Sequence, residues 1–389
     1  MNTLQQGLIA LMKSAVTVQP YALPEGFDLE AAYPLIQKHH IDAMAYDGAV
    51  RCGIDRKSPA MQQLFQSYLK VMMKSEGQMR DVQAVLAAFD AQGIDYMPLK
   101  GCKMKGMYPK PELRVMGDAD ILIRVEQYEK IVPIMESLHF QVGLESDHEL
   151  VWKSKGLYLE LHKHLIPSYN KDFYAYFGEG WQLAKKERGT RYAMSPEDEW
   201  IFLFTHFAKH YRDGGIGCRY VTDLWVYRNT HPAMDEGYIR SILRKLYLVE
   251  FYENVLQLID VWFQSAETNP KMDHMTDFIF SSGSWGTGNS RLLSRTVRDS
   301  KHSAVGFSGR LVYLWKTAFP DVMTLREKYT VLKKHPCLLP AVWIWRPIHK
   351  LLFERESLKK QRQNLQTVSM DHLQARQEAL NYVGLDYNF

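Results

Sequence analysis

Cysteines are few and far apart in this sequence of 389 residues. The four positions are Cys52, Cys102, Cys218 and Cys337, and no two of them form a CxxC pair. This spacing excludes a zinc knuckle and a disulfide framework, because both need clustered cysteines. We therefore expect the protein to work in the reducing environment of the cytoplasm.

Long apolar runs are also missing. The N-terminal stretch MNTLQQGLIALMKSAV has no basic lead and is interrupted by Gln5 and Gln6, unlike a signal peptide. The most apolar late stretch, residues 339–353, contains Arg346 and Lys350 and is too short for a membrane span. The sequence therefore predicts neither a signal peptide nor a transmembrane segment.

No charge of one sign is in large excess. Lys and Arg number 48 against 44 Asp and Glu, which gives a formal net charge of +4. Such an even balance gives no specific signal for nucleic-acid binding. Hydrophobic residues make up 46% and charged residues 24% of the chain, which is typical of a folded globular protein with room for two or three domains.

What the sequence does contain is a change of hydrophobic period along the chain. Apolar residues recur at helical spacing before residue 91, and strand-type segments are mixed with helices only up to about residue 193. Helical spacing returns after the helix-start signal at Pro196. We therefore predict an α+β fold whose small mixed-sheet core (91–193) is flanked by an N-terminal helical region (1–90) and a C-terminal helical domain (194–389).

Short segments within the predicted core have the alternation of strands. Strands are expected at residues 94–99 and 118–125, and the segments HELVWKS and LYLELHKHLI predict a hairpin that turns at Lys155 and Gly156. Further along, residues 281–290 are rich in Gly and Ser, which indicates a flexible connection. That segment lacks the GK[ST] ending of a phosphate-binding P-loop.

An Asp-x-Asp pair begins the strand-like segment DADILIRV. Asp118 and Asp120 flank Ala119, and the two-residue period of a strand points both carboxylates to the same side. Mg²⁺ prefers oxygen ligands and is commonly held by one or two carboxylates together with substrate phosphates. The pair is therefore suited to a metal–nucleotide complex, and a solvated turn is the alternative interpretation.

A third carboxylate lies in the predicted hairpin. Glu160 alternates with apolar residues, so Glu160 and His162 share one face while Leu159 and Leu161 share the other. An exposed sheet face would explain this pattern without any function. The functional interpretation makes Glu160 the ligand or base that completes a two-metal site for displacement at phosphorus.

Cationic residues precede the Asp pair. Lys100 and Gly101 end one predicted strand and open a helix, where a lysine and backbone amides can hold phosphates. Arg114 lies four residues before Asp118 and is placed to neutralise phosphate charge as well. Taken singly, Lys100 and Arg114 are better explained as ordinary surface cations at a turn.

Together these motifs resemble a known family. PLKG (98–101), RVMGDADILI (114–123) and YLELHKHL (158–165) are similar to the LKG, R-x-x-G/D-D-x-D and L-E-L-H motifs of the uncharacterised nucleotidyltransferase family. The segment 195–227, with HFAKH and RYVTDL, also resembles the helical part of that family. The wider superfamily has Gly-Gly or Gly-Ser about ten residues before its Asp pair, whereas this chain has Lys100 and Gly101 at a longer interval.

This resemblance implies a DNA polymerase beta-like nucleotidyltransferase fold and reaction. It implies that Asp118, Asp120 and Glu160 are the catalytic acids and bind two Mg²⁺ ions, with Mn²⁺ as an alternative. The implied substrate is an NTP, for example ATP, whose NMP moves to an acceptor with loss of pyrophosphate. The acceptor is open and could be a small molecule, a saccharide or a protein.

A polar patch in the later helices could face the nucleotide. Lys209, His210 and Arg219 are candidates for contact with the phosphates, and Asp223 is a candidate for orienting these side chains. His162 is a further candidate because it shares the Glu160 face. A hydrogen-bonded structural cluster between helices is the alternative interpretation, and it applies to His206 too.

Two other functions fit parts of the pattern. Asp-x-Asp before a short strand also occurs in metal-dependent glycosyltransferases that use a nucleotide-sugar, but those need alternating strands and helices before the motif. A nucleotide-binding pseudoenzyme is the non-catalytic alternative, although all three carboxylates are present. We rank the nucleotidyltransferase first.

Overall fold

The structure is a computed structural model. It describes residues 1–146, 148–167, 171–284, 319, 322–325, 329, 331–353 and 370–385. Spatial clustering of the chain gives two compact units, one of residues 1–209, 216–285 and 389, the other of residues 210–215 and 286–388. The predicted flexible segment at 281–290 falls largely outside the described residues, from 285 onward. The division into three domains at residues 90 and 193 stays a prediction.

Four helices precede the sheet, and their boundaries follow from side-chain caps. They are α1 (Thr3–Thr17), α2 (Leu29–His39), α3 (Asp42–Arg51) and α4 (Pro59–Ala91). Asn2 caps α1 in a reciprocal box with Gln5, and Asp28 accepts the Glu30 amide at the start of α2. Ser58 caps α4 immediately before a proline at the first helical position. The expected N-terminal helical region is present, and residues 1–95 contain no strand.

One mixed sheet of seven strands forms the core of the first unit. The strands are β1 (Tyr96–Pro98), β2 (Asp118–Ile123), β3 (Gln141–Glu145), β4 (Glu149–Lys153), β5 (Tyr158–His162), β6 (Ala184–Arg188) and β7 (Arg191–Met194). Their order is β3-β4-β5-β2-β1-β7-β6, with β2–β5 and β1–β7 parallel and the other neighbours antiparallel. The predicted hairpin is β4–β5. The α+β fold class is confirmed.

Eight further α-helices, which end at Ser282, lie between and after the strands. They are α5 (Lys100–Met104), α6 (Tyr128–Ser137), α7 (Lys171–Phe177), α8 (Pro196–Asp213), α9 (Cys218–Thr230), α10 (Glu236–Lys245), α11 (Val249–Ile259) and α12 (Pro270–Ser282). A π-helical turn, Asp260–Gln264, follows α11. Ser195 Oγ accepts the Asp198 amide 3.1 Å away, so α8 starts where the sequence predicts.

Apolar residues cover one face of the sheet. Ala119, Ile121, Leu159 and Leu161 belong to a buried cluster together with residues of two helices, α4 and α6. Those helical residues are Val82, Val85 and Phe89 of α4 and Ile131, Ile134 and Met135 of α6. Because strand side chains alternate, the intervening residues of β2 and β5 project from the other face. The polar residues of these strands therefore share one side of the sheet.

The second unit contains helices in its described part. They are Val322–Leu325, Val331–Lys334, Leu339–Phe353 and Met370–Tyr382. Leu325, Leu332 and Val342 form a small buried cluster there. Within the described ranges of both units, every helix falls short of the length and apolarity that a membrane crossing requires.

Candidate functional site

The strands β2 and β5 bring the predicted carboxylates together. They pair in parallel register, with Asp120 opposite Glu160 and Asp118 opposite Tyr158. Asp118, Asp120 and Glu160 thus project from the face that the apolar cluster leaves uncovered. The two strands are neighbours in the sheet, as a site shared by all three acids requires.

Asp120 is buried at the centre of this face. Lys100 Nζ donates to Asp120 Oδ1 at 2.7 Å, and His162 Nε2 lies 2.8 Å from the same oxygen. Burial by itself would raise the pKa of Asp120, but the Lys100 charge and the His162 hydrogen bond more than offset it and lower that pKa. Asp120 is therefore an anion held by two nitrogen donors.

The same contacts act on Lys100 and His162. Burial alone would lower the pKa of each, and the contact with Asp120 outweighs burial in both cases, so both pKa values are raised. Glu160 adds to the effect on His162, whose Nε2 is 3.6 Å from Glu160 Oε2. The polar face thus holds opposite charges in close contact.

The surroundings of Asp118 raise its pKa, in contrast to those of Asp120. Burial, and then the negative charges of Asp120 and Glu160, raise its pKa above the ordinary aspartate range. Three carboxylates in such proximity repel one another until a cation or a proton joins them.

The donor set suits a divalent cation. Ligand atoms of Asp120, Glu160 and His162 all lie within 4.8 Å of one another. Asp118 is not part of this close set, but it lies one strand repeat from Asp120 on the same face. Carboxylate oxygens are the ligands that Mg²⁺ prefers, so the three acids fit that ion.

Lys100 has an unusual backbone. Its φ of 40° lies in the left-handed region, which costs on the order of 1–3 kcal/mol for a residue with a Cβ. The preceding Leu99 amide donates to the Asp120 carbonyl at 3.0 Å, which fixes the end of β1 beside β2. This turn directs the Lys100 ammonium to Asp120, so the strain is localised at the site.

Gly101 makes room for Arg114. A Cβ at Gly101 would lie 2.6 Å from Arg114 Nη1, which is too close for any larger residue without a shift. The neighbouring Cys102 thiol is no nucleophile at neutral pH, because burial and then the Asp120 charge raise its pKa to about 12.

Three predicted nucleotide-binding residues form a buried cluster of their own. Arg114 Nη2 donates to Asp223 Oδ2 at 3.0 Å, and Tyr108 Oη donates to Asp223 Oδ1 at 2.7 Å. Arg219 Nη1 donates to the Val115 carbonyl at 2.6 Å. These contacts connect the loop before β2 to α9 and position the start of the Asp118 strand. Direct contact of Arg114, Arg219 or Asp223 with a nucleotide stays a prediction.

The two remaining predicted residues lie on α8. The Lys209 charge contributes to the low pKa of His148, so Lys209 is within electrostatic reach of the polar face. His210 is grouped with the second unit. A role of Lys209 or His210 in nucleotide binding stays a prediction.

The sequence analysis missed His148 and Glu149. His148 Nε2 lies 3.1 Å from His162 Nδ1, and Glu149 is the register partner of His162 in the β4–β5 ladder. The signal was available in HELVWKS, because Glu149 has the opposite phase from Leu150 and Trp152. Because the predicted hairpin already pairs these two segments, this phase could have placed Glu149 on the same face as His162.

Comparison with known proteins gives one family match. The family model described as uncharacterised nucleotidyltransferase matches residues 25–264, which is more than half of the chain. No curated protein and no solved structure matches. The matched range includes α2 to α11 and the whole sheet with its carboxylates. The chain therefore belongs to the uncharacterised nucleotidyltransferase family.

Proposed function

We propose that the protein transfers an NMP from an NTP to an acceptor, releases pyrophosphate and depends on Mg²⁺. The observation that carries this proposal is the register of β2 and β5, which places Asp120 opposite Glu160 with Asp118 on the same face. Family membership supports nucleotidyl transfer in general. The metal, the products and the roles of single residues are our proposal.

Asp118, Asp120 and Glu160 would hold the metal, with two Mg²⁺ ions as the expected complement and Mn²⁺ as an alternative. When bound, these ions supply charge stabilisation at the phosphates and lower the pKa of a coordinated hydroxyl. Burial, and then repulsion by Asp120 and Glu160, raise the pKa of Asp118, and this supports the fit because a cation relieves the repulsion.

The chain's own residues orient the reactants. In the proposed reaction an acceptor oxygen forms a bond to the α-phosphorus while the bond to the pyrophosphate oxygen breaks. Glu160 is half-buried and accepts the acceptor proton at its carboxylate. His162 holds Asp120 in a fixed orientation, and the Lys100 ammonium neutralises phosphate charge beside it.

NTP and Mg²⁺ binding tests the proposal without knowledge of the acceptor. We expect thermal stabilisation of the full chain by an NTP only when Mg²⁺ is present. With a small-molecule dialysate of a cell extract as acceptor source, we expect pyrophosphate release. Asp120→Asn should abolish both, while Asp95→Asn, which alters a surface ion pair with Arg124, should preserve both.

Two outcomes would contradict the proposal. One is pyrophosphate release by Asp120→Asn at the rate of the parent protein. The other is stabilisation by a nucleotide-sugar and not by any NTP, which would favour the glycosyltransferase alternative. Residues 1–95 contain helices and no strand, which speaks against that alternative, since it needs alternating strands and helices before the Asp pair.

A further inference from the structure

A second group of metal-ligand side chains lies next to the carboxylates. His148, Glu149 and His162 offer ligand atoms that all lie within 4.8 Å of one another. His148 and Glu149 take no part in the reaction proposed above. Two imidazoles and one carboxylate differ in chemistry from the three acids, because imidazole nitrogen is a preferred ligand of zinc and other transition metals.

The hydrogen bond to Asp120 prepares His162 for this role. Histidines that bind metals usually donate their other ring N–H to a carboxylate, which fixes the tautomer and the ring orientation. His162 Nε2 contacts Asp120 Oδ1 at 2.8 Å, so Nδ1 is the ring nitrogen left for a metal, which would displace any proton there. That Nδ1 faces His148 Nε2 at 3.1 Å.

The backbone of His148 is fixed by hydrogen bonds, but its ring Nδ1 has no hydrogen-bond partner among the described residues. Its amide donates to Ser146 Oγ at 3.2 Å, and its carbonyl accepts the Lys163 amide at 2.9 Å. The ring Nδ1 is buried. The other ring nitrogen, Nε2, is the one that faces His162 Nδ1, so the nitrogen on the side of the proposed site has only an imidazole as its partner among the described residues.

Local charge favours a bound cation here. Asp120, Glu149 and Glu160 lie on the same face of three adjacent strands, because Glu149 pairs with His162 and Asp120 pairs with Glu160. The positive charges that reach His148 are those of Lys100 and Lys209 and of the His162 and His164 rings. With Asp118 included, four carboxylates lie on this face, which also carries Lys153.

We propose that His148, Glu149 and His162 bind a single divalent ion of the zinc type, at a site separate from the Mg²⁺ carboxylates. Zn²⁺ takes imidazole nitrogen and carboxylate oxygen at about 2.0–2.2 Å. Three protein ligands leave a fourth position open to water. The site does not depend on nucleotidyl transfer.

Zinc titration of the full chain tests the site. The chain is stripped with a chelator and titrated with Zn²⁺ by calorimetry, without NTP and with excess Mg²⁺ to saturate the oxygen-only site. We expect one Zn²⁺ per chain. Because each loses one ligand, His148→Ala and Glu149→Gln should each weaken binding at least about tenfold. Co²⁺ in place of Zn²⁺ should give visible absorption bands that both variants lose.

Three control variants separate this site from its alternatives. Asp118 and Glu160 are not among the three proposed zinc ligands, although Glu160 contacts His162 Nε2, so Asp118→Asn and Glu160→Gln should keep most of the zinc affinity. His335→Gln removes an exposed histidine and controls for surface binding. Thermal melting without zinc checks that each variant is folded. The proposal is overturned if no zinc binds in excess Mg²⁺, if His148→Ala and Glu149→Gln bind like the parent, or if Glu160→Gln alone loses the ion.

Discussion

Asp120 is the residue on which the contacts of the polar face converge. Its Oδ1 accepts from Lys100 and contacts His162, and its own backbone carbonyl holds the Leu99 amide. One side chain thus connects the strained Lys100 turn, the Glu160 strand and the histidine pair. Substitutions around Asp120 therefore separate binding of phosphate from activation of the acceptor.

Substitution of Lys100 tests its proposed role in binding the phosphates of the NTP. Replacing it with Met removes a positive charge 2.7 Å from Asp120 and keeps the length of the aliphatic chain. A charge-assisted contact contributes about 1.5–3 kcal/mol, so Lys100→Met should lower kcat/KM for the NTP at least about tenfold. Lys153→Met is the matched control, since Lys153 is an exposed residue of the same sheet face. Equal losses in both variants, or none in either, would contradict a phosphate role for Lys100.

Substitution of Glu160 tests its proposed role in activating the acceptor. Glu160→Gln keeps the size of the side chain, so the fold and most NTP binding should survive. Pyrophosphate release should fall by about two orders of magnitude or more, because the amide cannot accept a proton and is a poorer metal ligand. Pyrophosphate release and NTP calorimetry measure the two effects separately. Glu145→Gln, a change on the exposed edge strand β3, should leave both intact. Full activity of Glu160→Gln would remove Glu160 from the mechanism.

At the scale of elements, close helix packing limits which residues fit. A Cβ at Gly48 of α3 would lie 2.1 Å from the Leu11 carbonyl oxygen of α1, and this obstacle is backbone. Gly48→Ala should therefore lower the free energy of unfolding by about 2 kcal/mol or more. Gly77→Ala in α4 has nothing within 4 Å and should raise it by about 0.5–1 kcal/mol. Urea denaturation followed by circular dichroism measures both, and a neutral Gly48→Ala would mean that α1 and α3 pack less closely.

The elements differ in how well the sequence reveals them. The α4 helix and the β4–β5 hairpin were predicted because one face of each is apolar and the other polar. Edge strands escaped prediction: β6 reads AKKER and is almost wholly exposed, and β3 exposes Val142 and Leu144. Neither buries one face, so neither shows the period of a half-buried strand.

The functional site shows the same difference between residues that a local sequence pattern reveals and residues that it does not. Asp118, Asp120 and Glu160 were found because a short motif and a strand phase place them on one face. The Arg114–Asp223 pair, in contrast, joins residues that are 109 positions apart in the sequence. Such contacts depend on which elements become neighbours, and a single sequence carries no local pattern for that.

At the scale of the whole molecule, His39 joins three helices of the first unit. It ends α2, its Nε2 lies 3.0 Å from the Phe280 carbonyl of α12, and its Nδ1 accepts the Cys218 amide of α9 at 3.3 Å. A carbonyl only accepts and an amide only donates, so both contacts require the neutral ring with its proton on Nε2. A second proton would displace the Cys218 amide. The packing of these helices is therefore sensitive to pH.

The pH dependence of unfolding tests this link. Burial lowers the pKa of His39 from 6.5 to about 4, although the Phe280 carbonyl opposes the change. Between those pH values the unfolded chain binds the proton more readily than the folded chain, so the stability of the first unit falls as pH falls from 6.5 towards 4. The integrated effect is on the order of 3 kcal/mol.

His39→Gln should be less stable at pH 7 and should show a shallower loss of unfolding free energy over this range. His40→Gln, at the exposed next position, should keep the slope of the parent. Urea denaturation at half-unit pH steps gives the three slopes, and an identical slope for His39→Gln and the parent would show that His39 does not set this dependence.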